Sequence, residues 1–120
     1  GGEHQMTLET NKMESCIEDC DACHASCVET ATHCLKIGGE HAAQEHIRLL
    51  WDCSEMCALA ADFMRRGSDF FAGGCDLCAD ICERCAEACA KFGDDPIMRT
   101  CVRACRKCTE SCRVVASLAA

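Results

Sequence analysis

The chain carries a three–four rhythm of buried-type positions, and the residue repeated there is cysteine where a helical bundle normally places Leu, Ile or Val. The first run is Cys16, Cys20, Cys23, Cys27 and Cys34, spaced 4, 3, 4 and 7. Cys53 and Cys57 form a second, shorter run. Cys75, Cys78, Cys82, Cys85 and Cys89 follow at 3, 4, 3 and 4, then Cys101, Cys105, Cys108 and Cys112 at 4, 3 and 4. Fifteen of the 16 Cys lie three or four residues from another, and Cys34 keeps the phase at seven. Alternation at period two is absent, and Ala, Glu, Leu, Arg and Met fill the intervals, so helices are predicted throughout.

Breaks fall at Gly38-Gly39, Gly67-Ser68 and Gly93-Asp94-Asp95-Pro96. At the last, Gly93 suits a helix end, Asp95 a cap and Pro96 a first helical turn. Asn11 with Glu14 resembles a capping box. The predicted helices therefore run over about 11–37, 41–66, 69–92 and 96–117, with Gly73-Gly74 able to delay or kink the third. Short turns make neighbours antiparallel, so the predicted fold is all-α: an antiparallel up-down four-helix bundle with a cysteine-lined core. Residues 1–10 are expected as a disordered N-terminal segment and 11–120 as the bundle domain. Folding about the turns sets Cys57 near Cys20, Cys53 near Cys27, Cys78 near Cys112, Cys82 near Cys108, Cys85 near Cys105 and Cys89 near Cys101. The parallel first and third helices align Cys16 with Cys75 and Cys20 with Cys78.

Charge and composition narrow the function. A net charge of −8, with one Trp and four Phe, argues against nucleic acid, which demands clustered cations and stacking platforms. No apolar run approaches the roughly 18 residues of a membrane span.

A core of 16 inert thiols would be a poor way to fill a bundle, because Leu packs better than Cys. Disulfides within a helix are strained, since i,i+4 Cβ atoms lie about 5–6 Å apart and a bridge needs about 3.5–4.5 Å. The C-x-x-C-x-x-C run of ferredoxin-like sites is missing. A metal–sulfur bond of roughly 2.3 Å lets one ion span two sulfurs about 4.6 Å apart, a distance that a C-x-x-x-C pair reaches by rotamer choice. Thiolates in such low-coordinate sites suit Cu(I). One Cu⁺ per thiolate also leaves the buried core neutral. Zinc balances the charge with half as many ions, so the helix-turn spacing, not charge, favours copper. The expected function is storage of many Cu(I) ions, with the 16 Cys as ligands and no enzyme activity. Zinc or general metal buffering of metallothionein type is one alternative. A thiol redox enzyme is the other, and it needs one privileged Cys that the pattern does not single out.

Cys16-Ile17-Glu18-Asp19-Cys20, Cys23-His24-x-x-Cys27, His46-Ile47-Arg48-Leu49-Leu50 through Asp52-Cys53, and Cys78-x-x-x-Cys82-x-x-Cys85-x-x-x-Cys89 resemble the copper storage proteins, from about residue 11 to 117. The resemblance implies a homotetramer of bundles storing many Cu(I) ions. It also implies a split between exported members and cytosolic ones; this chain, whose Gly1–Met6 start lacks a signal-peptide pattern, resembles the cytosolic kind. The copper donor and acceptor are not legible.

Among the other soft or basic groups, His46 continues the seam of the second helix and is expected inward beside Cys34 and Met98, as an auxiliary ligand or a mouth residue. Met13, Met64 and Met98 are weaker candidates for passing copper inward. His24 is expected at the core boundary, and His33 and His41 in solvent. His4 falls in the disordered start. Ile17, Val28, Ala31 and Leu35, with Ile47, Trp51 and Ala58, form a second apolar stripe expected to pack between subunits.

Overall fold

A computed structural model describes residues 2–118. Helix α1 spans Gly2–Ile37, a single 3-10 turn spans Gly39–Ala42, and α2 (Gln44–Arg65), α3 (Phe71–Ala90) and α4 (Pro96–Ser117) follow. The helices form the expected up-down bundle. Each packs on two neighbours, α1 on α2 and α4, and α3 on α2 and α4. The particle measures 55 × 23 × 19 Å. Its length is that of α1 alone, since 36 residues at about 1.5 Å each reach about 54 Å.

The helix ends follow local chemistry. Gly38, Gly39 and Gly67 have φ of +78°, +56° and +62°, which glycine adopts without a Cβ clash. Asp95 caps α4, with Oδ1 accepting from the Ile97 N–H at 2.9 Å, and Pro96 occupies the first turn. Helix α3 begins at Phe71 and passes through Gly74 unbroken. Glycine is required there because the Phe63 ring lies where a Cβ would stand, 2.6 Å from its nearest carbon.

The N-terminus departs from the sequence reading. The expected disordered segment over residues 1–10 is replaced, from Gly2 onward, by an exposed extension of α1; Gly1 lies outside the described residues. Residues 3–10 contain no helix breaker, Thr7 Oγ1 donates to the Glu3 carbonyl at 3.0 Å, and Gln5 Nε2 donates to Glu9 at 3.2 Å. Asn11 and Glu14 therefore sit inside a helix and do not form a capping box.

The second apolar stripe also divides. Ala31 and Ile47 turn into the core, while Val28, Leu35 and Trp51 remain 44%, 53% and 49% exposed. Among the described residues, no helix is long and apolar enough to cross a membrane.

Candidate metal centre

All 16 cysteines are free thiols with no solvent-accessible surface. The backbones of the diagonal pairs α1/α3 and α2/α4 do not approach, and sulfur fills the gap between them. Cys23 Sγ lies 3.9 Å from Cys82 Sγ across one diagonal, and Cys57 Sγ lies 3.8 Å from Cys108 Sγ across the other.

The sulfurs form a ladder of four-sulfur groups, each with its members within 4.8 Å of one another. Cys20, Cys78, Cys108 and Cys112 make one group, followed by Cys57, Cys78, Cys82 and Cys108. Next come Cys23, Cys53, Cys57 and Cys82, then Cys23, Cys27, Cys53 and Cys105, then Cys27, Cys85, Cys101 and Cys105. Consecutive groups share two sulfurs, so an ion held in one shares ligands with the next. Cys16 extends the ladder at one end, 3.6 Å from Cys112, and Cys75 is buried near it. At the other end Cys89 faces His46 Nε2 at 3.5 Å, and the Cys34 thiol donates to Met98 Sδ at 3.6 Å.

The expected levels therefore recur for Cys53 with Cys27, Cys78 with Cys112, Cys82 with Cys108, Cys85 with Cys105 and Cys20 with Cys78. Cys101 lies near enough to Cys89 to raise its pKa, and Cys16 near enough to Cys75 to do the same. Cys57 differs: it groups with Cys23, one helical step from the expected Cys20, because the level of Cys53 with Cys27 on the same antiparallel pair already sets that register. Thiols four apart on one helix lie 4.0 Å apart at Cys16–Cys20, Cys23–Cys27 and Cys101–Cys105, and 3.9 Å at Cys108–Cys112. About 4.0 Å is the edge of a trigonal three-sulfur site with bonds of roughly 2.3 Å, whereas the linear site anticipated from the spacing needs the pair to open to about 4.6 Å.

Packing thiols this closely sets their acidities against one another. Hydrogen bonds from Cys108, Cys112 and Cys16 lower Cys20 to about 6. Cys101 is lowered, first by Cys105, while Cys105 is raised, first by Cys101, so one of the pair ionises at the other's expense. Cys34 and Cys75, towards the two ends, are shifted upward. Burial, then the Asp95 carboxylate, raises Cys34 to about 11. Cys75 rises to about 12, the favourable Cys112 contact being outweighed by Cys16 and burial.

These two raised values fix a pH dependence for the metal-free protein. A thiol raised above its unfolded value favours the fold while protonated, and that contribution falls as pH climbs from the unfolded value towards the folded one. Metal-free protein should thus lose stability between about pH 9 and 12, and metal-filled protein, whose thiols carry no protons to lose, should not. Chemical denaturation across that range checks it.

His46 is buried as expected, but its partner is Cys89 and not Cys34 or Met98. Its Nδ1 is held by the His41 carbonyl at 2.7 Å, and Phe92 stacks on its ring at 5.2 Å. Met98 is fully buried, Met64 is buried at the opposite end, and Met13 packs half-buried against the core. His24 sits at the core boundary, with Nδ1 2.8 Å from the Ser54 carbonyl. His33 and His41 are not in solvent. Both converge on Asp95, because the 3-10 turn folds His41 back over the end of α1. No sequence periodicity reports that meeting, since the three residues lie on three separate segments.

Comparison with known proteins follows this geometry closely. A family model described as copper storage protein matches residues 9–117. An uncharacterised cysteine-rich protein of Bacillus subtilis, YhjQ, is 40% identical over 104 residues, covering 87% of this chain and 95% of that protein. The Cu(I)-bound copper storage protein BsCsp3 superposes with a TM-score of 0.82 at 40% identity, covering 88% of this chain and 98% of that one. A cytosolic copper storage protein from Streptomyces lividans, captured during copper loading with five coppers, superposes with a TM-score of 0.86 at 27% identity, covering 92% and 97%.

Proposed function

Because the chain belongs to the copper storage protein family, we propose that its shared-edge sulfur ladder is the store itself, with all 16 cysteines as Cu(I) ligands. The observation that carries this reading is the sharing of two sulfurs between successive four-thiol groups. Isolated tetrahedral sites of zinc type use four ligands per ion and share none. A ladder of shared thiolates suits a monovalent soft ion, which needs fewer ligands and one negative charge apiece.

The chemistry is exchange of protons for copper. Each thiol releases H⁺ as it takes Cu⁺, so filling the core leaves its net charge unchanged. The lowered thiols, such as Cys20 and Cys101, give up protons first, and the raised Cys34 and Cys75 at the ends fill last at a given pH. His46 beside Cys89, and Met98 beside Cys34, add neutral donors at one end of the ladder. Met64 and Met13 add thioethers near the other. The protein is not an enzyme on this reading, because every thiol is buried and none has the exposed setting of a reactive cysteine.

The half-exposed Val28, Leu35 and Trp51 on the outer face of α1 and α2 support a homotetramer in which these faces meet. The Streptomyces relative, named as cytosolic, supports a cytosolic store.

X-ray absorption at the copper edge of loaded protein tests the ligand assignment. A first shell made overwhelmingly of sulfur is expected. A shell dominated by nitrogen or oxygen would remove the thiols from the role.

A further inference from the structure

Outside the sulfur ladder, three side chains from three different segments meet at one end of the bundle. His33 lies near the end of α1, His41 in the 3-10 turn, and Asp95 at the N-cap of α4. His33 Nε2 is 2.6 Å from Asp95 Oδ2, and His41 Nε2 is 3.4 Å from the same oxygen. The first contact is a hydrogen bond. The second is not, and His41 Nε2 is the buried side-chain nitrogen or oxygen that lacks a hydrogen-bond partner among the described residues. A buried imidazole nitrogen aimed at a carboxylate without a bond to it lacks the partner that buried polar atoms nearly always have.

The surroundings hold this arrangement in place. Asp95 Oδ1 accepts the Ile97 N–H at 2.9 Å, which leaves Oδ2 turned to the histidines. The His41 carbonyl accepts from His46 Nδ1 at 2.7 Å, and the His41 ring packs on Phe92 with centroids 4.0 Å apart. Such supporting contacts fix the orientation of metal-bound imidazoles and carboxylates.

We propose that His33, His41 and Asp95 form a separate site for a zinc-class divalent cation, chemically distinct from the thiol store. Two imidazoles and one carboxylate are the donors such ions take, and three protein ligands leave a fourth position for water. A tetrahedral ion with bonds of about 2.0–2.2 Å sets its ligand atoms about 3.3–3.6 Å apart. The His41–Asp95 separation of 3.4 Å already has that value, and the His33–Asp95 pair opens by less than about 1 Å. A cleft of about 250 Å³ bordered by His41, Phe92, Asp94 and Asp95 adjoins two of the three ligands. Lys91 also borders the cleft and opposes a cation, and the two carboxylates offset it. An ion here ties α1, the 3-10 turn and α4 together over the end where Cys34 and Met98 lie. The store does not need this site, and the site does not need the store.

The test fills the thiols with Cu(I) under anaerobic conditions, adds Zn²⁺, removes free metal and counts both ions. One zinc per chain is expected, with only nitrogen and oxygen in its X-ray absorption shell. His41→Gln and Asp95→Asn should each abolish zinc retention and leave the copper count unchanged; Asn retains an acceptor for the helix cap. Three outcomes overturn the site: no zinc retained, zinc with sulfur at about 2.3 Å and copper displaced, or full zinc retention by both variants. A low copper count alone bears on the thiol store and leaves the zinc count to judge this site.

Discussion

Filling the core with Cu(I) should raise the thermal midpoint of the protein by more than roughly 20 °C. Ions bound on the ladder bridge helices, because each four-sulfur group draws on at least three of them. A ligand present at 100 times its dissociation constant stabilises the folded state by about 2.7 kcal/mol per site. For a chain of 120 residues, 1 kcal/mol corresponds to about 3–5 °C, so about three such ions already supply the shift. The unfolded chain's thiols also bind copper, which lowers the gain below a sum over every site.

The metal-free form should nevertheless be helical. Leu50, Met98 and Val115 are fully buried without metal, and protonated Cys packs as a small hydrophobe. Circular dichroism melts with and without copper give both results. A midpoint shift of a few degrees, or a random-coil spectrum for the metal-free form, would contradict the account.

The second large effect is on capacity. Replacing Cys78 and Cys82 together by Ser should lose roughly two to three copper ions and keep the rest. The pair belongs to three of the overlapping groups, so its removal takes the ions it holds and part of the bridging to neighbours. That estimate assumes about one ion per thiol, the ratio that neutralises the core. Ser is close in size to Cys, and the helical signal should persist. Abolition of all binding by one Cys→Ser change would instead point to a single dedicated site.

The bundle was legible because cysteine marks the seam. Alternate threes and fours from Cys16 to Cys112 state both the helical period and the face turned inward, and Asp95-Pro96 states where α4 begins. The levels followed from folding the helices about the turns, and they held for Cys53 with Cys27 and along α3 and α4. They shifted at Cys57, which follows the register that Cys53 and Cys27 set on the same two helices and so meets Cys23. The helical start from Gly2 was hidden because Asn11 and Glu14 look like a cap, and a cap motif also fits inside a helix.

The end of the bundle was the least legible part. His46 was read inward from its phase with Leu50 and Cys53, but its partner Cys89 depends on the rotation of α3 against α2. His33 and His41 lie far from Asp95 in sequence, all three on segments of different conformation, and only the tertiary fold brings them to one oxygen. Phe63 against Gly74 is similar: a glycine inside a helix signals a close approach without naming what approaches.

The central claim is a store of many soft monovalent ions on shared thiolates, and anaerobic Cu(I) titration followed by native mass spectrometry tests it most directly. The account predicts saturation on the order of one Cu(I) per cysteine, with zinc unable to displace the copper. Saturation at about four tetrahedral ions, with zinc preferred over copper, would contradict it.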